Sequence, residues 1–195
     1  MTGTEGVRSR AVESDAAGSA PEPGRFRDRQ RANVYEAENL VHRMFDRSVD
    51  YPVVEVAGST LTLPVERHFA TLESVQSYVD VVLATAPVRA RWPRADVPVA
   101  VHERSGQQQA DYQRLIAVIA VPLHAGNRAW ALRELVILHE LAHHLAETDE
   151  EPHGPEFTER LIALTAEIVG PEAAFLLRTT MWDNGVRIGP SSQAM

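Results

Sequence analysis

The chain has 195 residues, carries a formal net charge of −8 and contains no cysteine. That length allows one domain with a tail or two very small ones, and the acidic balance speaks against a dedicated nucleic-acid binder. The missing thiols exclude disulfides, thiolate metal sites and a cysteine nucleophile. All 19 basic residues are arginine, which reads as the coding bias of a GC-rich genome and removes lysine chemistry such as a Schiff base.

The first 27 residues are rich in Gly, Ala, Ser, Pro, Glu and Arg and poor in large apolar side chains. They bury too little surface to offset the entropy of ordering, so a flexible tail is expected over 1–27. They contain no apolar core of a signal peptide. The longest apolar run, LIAVIAVPL at 115–123, falls short of the roughly 20 residues that span a bilayer. A cytoplasmic protein is the expectation.

Val34, Ala37, Val41 and Met44 or Phe45 recur at helical spacing and predict a helix over about 28–47. Two β-rich runs, 53–57 and 60–63, predict a hairpin with Gly58 and Ser59 at the turn. Helix spacing returns over 72–84, with Thr71 placed to cap it. Three prolines mark APVRARWPRADVP as a loop. VPVAVHE at 97–103 reads as a strand, a candidate edge. YQRLIAVIAVPL at 112–123 reads as a strand apolar on both faces, hence central in a sheet. Asn127 can cap a helix over about 128–147. Pro152, Gly154 and Pro155 then break the chain. A helix to Val169 follows, with Phe157, Leu161, Leu164 and Ile168 on one face, and Gly170-Pro171 leads into a last helix over 172–183. The order predicts an α+β domain over 28–185 with a small, mainly antiparallel sheet packed by helices on one side, and a tail over 186–195.

The stretch LHELAHHLAETDEEPHGPEF, 138–157, holds four of the eight histidines. His139, Glu140 and His143 form HExxH. On a helix, residues four apart share a face at about 5–6 Å between Cβ atoms, so both imidazoles can reach one metal ion. Glu140 lies about 100° round the axis from His139. It can reach a water on the metal and take its proton without ligating. The plain alternative is a chance match on an ordinary amphipathic helix. A hydrolytic zinc site needs a third protein ligand and one open position. His153 suits the third, with Glu156 and Glu159 as rivals. His144 points away from His143 and reads as a surface or supporting residue. Glu147, Asp149 or Glu150 could accept the outer N–H of a ligand histidine, or could simply be a solvated helix end. Candidates for stabilising an oxyanion are His144, Arg160, Arg178 and His124. His42, His68 and His102 read as structural or exposed, and Trp92, Trp130 and Trp182 as core or rim packing.

LHELAHHL followed by HGPEF resembles the zincin metallopeptidases of the SprT-like group, most nearly a group of HExxH metallohydrolases found in actinobacteria. The match covers about 138–161. It implies a minimal zincin-like fold and one zinc ion held by His139, His143 and His153. It also implies Glu140 as the base and Phe157 as the packing residue of HGxxF. The acidic chain lacks the basic regions and the zinc ribbon of the DNA-repair members, so DNA-linked proteolysis is not implied. The expectation is a zinc-dependent hydrolase acting on peptide or protein substrates. The alternatives are a zinc hydrolase of a non-peptide substrate and a metal-holding module without enzymatic activity.

Overall fold

The computed structural model describes residues 28–104, 109–123, 131–147 and 150–189, which form six α-helices and two small sheets. The tail read over 1–27, and also Asn127, His124, Trp130 and Asp149, lie outside the described residues. Helix α1 spans Arg31–Ser48 and turns Val34, Ala37, Val41 and Phe45 inward. Glu38 and His42 are buried beside that stripe. α2 spans Leu72–Ala84. The Thr71 hydroxyl accepts the Ser74 N–H at 3.2 Å and the Ser74 hydroxyl accepts the Thr71 N–H at 3.2 Å, a capping box that satisfies two N–H groups.

The segment expected as a proline-rich loop is helical instead. α3 spans Ala86–Arg91, and a 3₁₀ turn follows over Pro93–Asp96. Proline is excluded from helix interiors but fits the first turn, where its missing N–H has no partner to lose. Pro87 and Pro93 both occupy such positions.

Strands β1 (Val53–Val56) and β2 (Ser59–Thr62) pair antiparallel, with Val56 opposite Ser59. The turn is therefore Ala57-Gly58, one residue earlier than expected, with φ of 48° and 77°. Two central residues at positive φ match the twist of a tight hairpin, and only the second is a glycine. β3 (Ala100–Glu103), β4 (Asp111–Gln113) and β5 (Val118–Val121) form a second sheet in the order β3-β5-β4. β3 runs parallel to β5 and β4 antiparallel to it, so this sheet is mixed rather than mainly antiparallel. The run 112–123 is two strands joined by a turn, with Ala117 at φ 50°. Leu115 and Ile116 at that turn are exposed, so unbroken apolarity there did not signal burial. β5 is buried along its whole length and central, and β3 lies at one edge, as expected.

Helix α4 (Glu134–His144) carries HExxH, and α5 (Pro155–Ile168) and α6 (Pro171–Asp183) follow. Every α4 residue except His143 is buried. α4 packs on α5, β4 and α2, and α6 packs on α1 and α5. Residues 186–189, read as tail, belong to the fold. Val186 is buried, and the Gly189 N–H donates to the Pro155 carbonyl at 3.0 Å. Trp92 is buried, whereas Trp182 is exposed rather than packed. No helix among the described residues is long and apolar enough to cross a membrane.

The N-terminal end of α4 is tied down by charge. Segment 66–69 runs beside 132–134, with Phe69 N–H to the Leu132 carbonyl at 2.8 Å and Glu134 N–H to the Arg67 carbonyl at 2.9 Å. The buried Glu66 carboxylate accepts the Leu135 N–H at 3.2 Å and pairs with Arg133. A carboxylate there satisfies an unpaired N–H and complements the positive end of the helix dipole. Arg133 also reaches Asp46 at 2.8 Å and the His42 carbonyl at 3.3 Å, joining α4 to α1. Glu134, fully buried, accepts from the Tyr78 hydroxyl at 2.8 Å and the Arg67 N–H at 3.0 Å.

Removing one partner of a buried pair strands the other. Glu66→Ala is expected to cost about 3–5 kcal/mol of unfolding free energy, read from urea unfolding. A second prediction concerns pH. Burial lowers the His42 pKa, with the Arg133 charge adding to it against Glu38, Glu66 and Asp46. The unfolded chain takes up this proton near pH 6.5 and the folded chain only at lower pH. The contribution of neutral His42 is therefore complete above about pH 6.5 and is lost as pH falls below it. With chelator present, the fall in urea midpoint from pH 7.5 to 5.5 should be smaller in His42→Leu than in wild type.

Candidate metal centre

Three imidazoles meet at the inner face of α4. His139 and His143 come from successive turns of that helix, and His153 comes from the turn ahead of α5. The turn is tight. The Gly154 N–H donates to the Glu151 carbonyl at 2.8 Å, and a Cβ on Gly154 would lie 2.9 Å from the Glu151 Cβ. Glycine there lets the chain double back soon enough to bring His153 to the helix.

Nε2 of His139 lies 3.2 Å from Nε2 of His143 and 3.3 Å from Nε2 of His153. One ligand atom from each of the three fits within 4.8 Å of the others. Two nitrogens bound to one tetrahedral zinc at about 2.05 Å would sit about 3.3 Å apart. The outer nitrogens are occupied differently. His139 Nδ1 faces the Glu38 carboxylate at 2.7 Å, and His153 Nδ1 faces the Asp28 carboxylate at 2.7 Å. A carboxylate can only accept, so each Nδ1 carries the proton, and in the neutral ring each Nε2 turns a lone pair towards the centre. Lone pairs at such distances repel unless a cation lies among them. The donor set fits a metal ion, and the carboxylate–histidine pairs are the usual support for such ligands.

Electrostatics keeps two of the three rings neutral. Burial and the neighbouring histidines hold His143 well below its ordinary pKa, and burial followed by His139 lowers His153 to about 4. Burial opposes a charge on His139, but the Glu38 carboxylate outweighs it and raises that pKa. The Phe157 ring supports all three imidazoles. It stacks on His143 at 4.3 Å between centroids and meets His139 and His153 edge-on at 4.9 and 5.0 Å.

Glu140 and His143 open onto a cleft of about 760 Å³, which His153, Asp28, Tyr35, Asp111 and Tyr112 also line. Burial raises the Glu140 pKa to about 7, with the His139 charge and the Tyr112 N–H pulling the other way. A carboxylate poised near neutrality suits a general base.

Several expectations are corrected here. Glu156 is exposed and Glu159 binds Arg178 at 2.9 Å, so neither joins the cluster. Glu147 is exposed and Glu150 pairs with Arg160, so neither serves a ligand histidine. Those partners come from Asp28 and Glu38, more than a hundred residues upstream. The only signal for Glu38 was an acid on the apolar face of α1. Asp28 carried none.

The oxyanion candidates among the described residues, His144, Arg160 and Arg178, are engaged elsewhere. Arg160 donates to the Ala142 carbonyl at 2.7 Å. His144 is fully buried and faces away from the cluster. Its Nε2–H donates to the Arg94 carbonyl at 2.9 Å, and its Nδ1 accepts from the Tyr112 hydroxyl at 2.8 Å. Tyr35 was passed over. Its ring lies 5.4 Å from that of His139 and 5.3 Å from that of His153.

Loss of a carboxylate behind a ligand histidine typically costs 10–100-fold in metal affinity. Glu38→Ala and Asp28→Ala should each weaken metal binding by about that factor, and Glu147→Ala should leave it unchanged. Competition of Zn²⁺ or Co²⁺ against a chromophoric chelator measures all three. No family model, no curated protein and no solved structure matches the chain, so the functional reading rests on the chemistry of these residues.

Proposed function

We propose that the protein is a zinc-dependent hydrolase that cleaves peptide bonds, with His139, His143 and His153 as the metal ligands and Glu140 as the general base. The observation that carries this reading is the convergence of three Nε2 atoms, two of them backed by carboxylates, at the foot of a cleft that Glu140 shares. The all-nitrogen donor set suits zinc, and three protein ligands leave a tetrahedral ion one position for water. The HELAH and HGPEF stretches and their likeness to the SprT-like zincins support the same reading, as does an α+β frame holding the motif on a buried helix.

A zinc ion bound there supplies Lewis acidity and lowers the pKa of a water towards about 7. Glu140 accepts a proton from the attacking water and later delivers it to the departing amide nitrogen. The Tyr112 N–H favours the charged form of its carboxylate. Phe157 and the Glu38 and Asp28 carboxylates keep the imidazole rings from turning.

A peptide is favoured over other amides by β4. Among the described residues this strand is at a sheet edge, next to β5 alone, and its Asp111 and Tyr112 line the cleft. An edge strand offers main-chain hydrogen bonds to an extended peptide.

Glu140→Gln separates catalysis from metal binding. The variant should keep one zinc per chain and lose at least about a hundredfold in kcat. His153→Ala should lose the metal itself, read by metal analysis of protein purified without chelator. A wild type that holds zinc but cleaves no member of a broad peptide library would favour a binding module. A wild type with no bound metal would end the reading.

A further inference from the structure

Among the described residues, the candidates named from the sequence leave one function unfilled. Water adding to a carbonyl drives charge onto the carbonyl oxygen, and a fixed donor near that oxygen is among the largest contributions to such catalysis. Arg160, Arg178 and His144 are committed elsewhere.

Tyr35 stands where such a donor is needed. It lies on α1 at the wall of the cleft that Glu140, His143 and His153 also line. Its ring is in contact range of the His139 and His153 rings. Arg31 precedes it by one helical turn, with its guanidinium 5.4 Å from the ring centroid. The Arg31 positive charge therefore lies beside the phenol. A cation beside a phenol favours the partial negative charge that its oxygen takes on when the O–H donates. Among the described residues no acceptor takes that proton.

Resting on the hydrolase reading above, we propose that Tyr35 is a catalytic residue: its O–H donates to the oxygen that becomes anionic as water adds to the scissile carbonyl, and Arg31 is its positioning residue. In that step a bond forms between the water oxygen and the carbonyl carbon. The π pair moves to the carbonyl oxygen, and Glu140 takes the water proton. The Tyr35 proton stays on the phenol and is only shared. When the C–N bond breaks, the electron pair leaves with nitrogen, Glu140 protonates that nitrogen, and the carbonyl re-forms.

Tyr35→Phe tests this, because it keeps the ring against the histidines and removes only the hydroxyl. The substrate probe is the library peptide that wild type cleaves fastest. The binding probe is a phosphinic analogue with tetrahedral phosphorus in place of its scissile carbon. The expected result is a fall in kcat of about a hundredfold. KM should stay within about twofold, one metal per chain should remain, and affinity for the phosphinic analogue should fall by a factor close to that in kcat. Arg31→Ala should lower kcat less, and should add nothing further in the double variant, since both act through one phenol. Unchanged kcat and unchanged analogue affinity in Tyr35→Phe would overturn the role. So would loss of metal from that variant, which would show that the residue only braces the histidines. If wild type itself cleaves nothing, the hydrolase reading fails and this role falls with it. If wild type cleaves and Tyr35→Phe matches it, only the role of Tyr35 fails.

Discussion

The constraint on which the rest depends is the burial of α4, a helix of eleven residues with only His143 partly open. A helix leaves unpaired N–H groups at its start and unpaired carbonyls at its end, and burying them without partners is costly. The fold answers at both ends with charge. Glu66, held by Arg133, takes the Leu135 N–H at the start. At the far end Arg160 donates to the Ala142 carbonyl, Arg94 to the His144 carbonyl and Arg114 to the Ala146 carbonyl. Anions at the beginning and cations at the end match the helix dipole. Arginines scattered along the chain are thus the fixings of the helix that carries the site.

These fixings explain why the site is rigid in the places chemistry needs. Arg94 also donates to the Tyr112 hydroxyl, which in turn donates to His144. The same few groups therefore hold α4, the 3₁₀ turn and β4 together. β4 packs on α4, and its Asp111 and Tyr112 line the cleft with Glu140. His144, the extra histidine of the motif, is a strut between the helix and the cleft wall rather than a ligand or a solvated residue. Its neutral form suits that task, because burial lowers its pKa to about 4.

The second feature is the assembly of the centre from distant parts. α1 supplies Glu38 and Tyr35, the residues just before it supply Asp28, and the α4–α5 turn supplies His153. Gln30 closes the arrangement, donating to the His153 carbonyl at 2.6 Å and to the Arg187 carbonyl at 3.1 Å. Both ends of the domain are therefore fastened at the third histidine. That placement couples the integrity of the centre to the packing of α1 and of residues 186–189.

The sequence by itself determined what depends on local spacing. The pair His139 and His143 follows from helix periodicity, Thr71 from capping chemistry, and the α5 stripe from its 3.6-residue repeat. His153 was legible because Pro152 and Gly154 announce a turn next to it. What tertiary structure alone decided is whatever depends on chain segments far apart. It chose Glu38 and Asp28 over the nearby acids as partners of the ligand histidines. It turned LIAV into a turn and a strand, and it brought Tyr35 to the cleft. The reason is physical. A helix period fixes direction within a few turns, whereas the partner of a buried imidazole is settled by whichever segment packs against it, and no spacing in the chain encodes that.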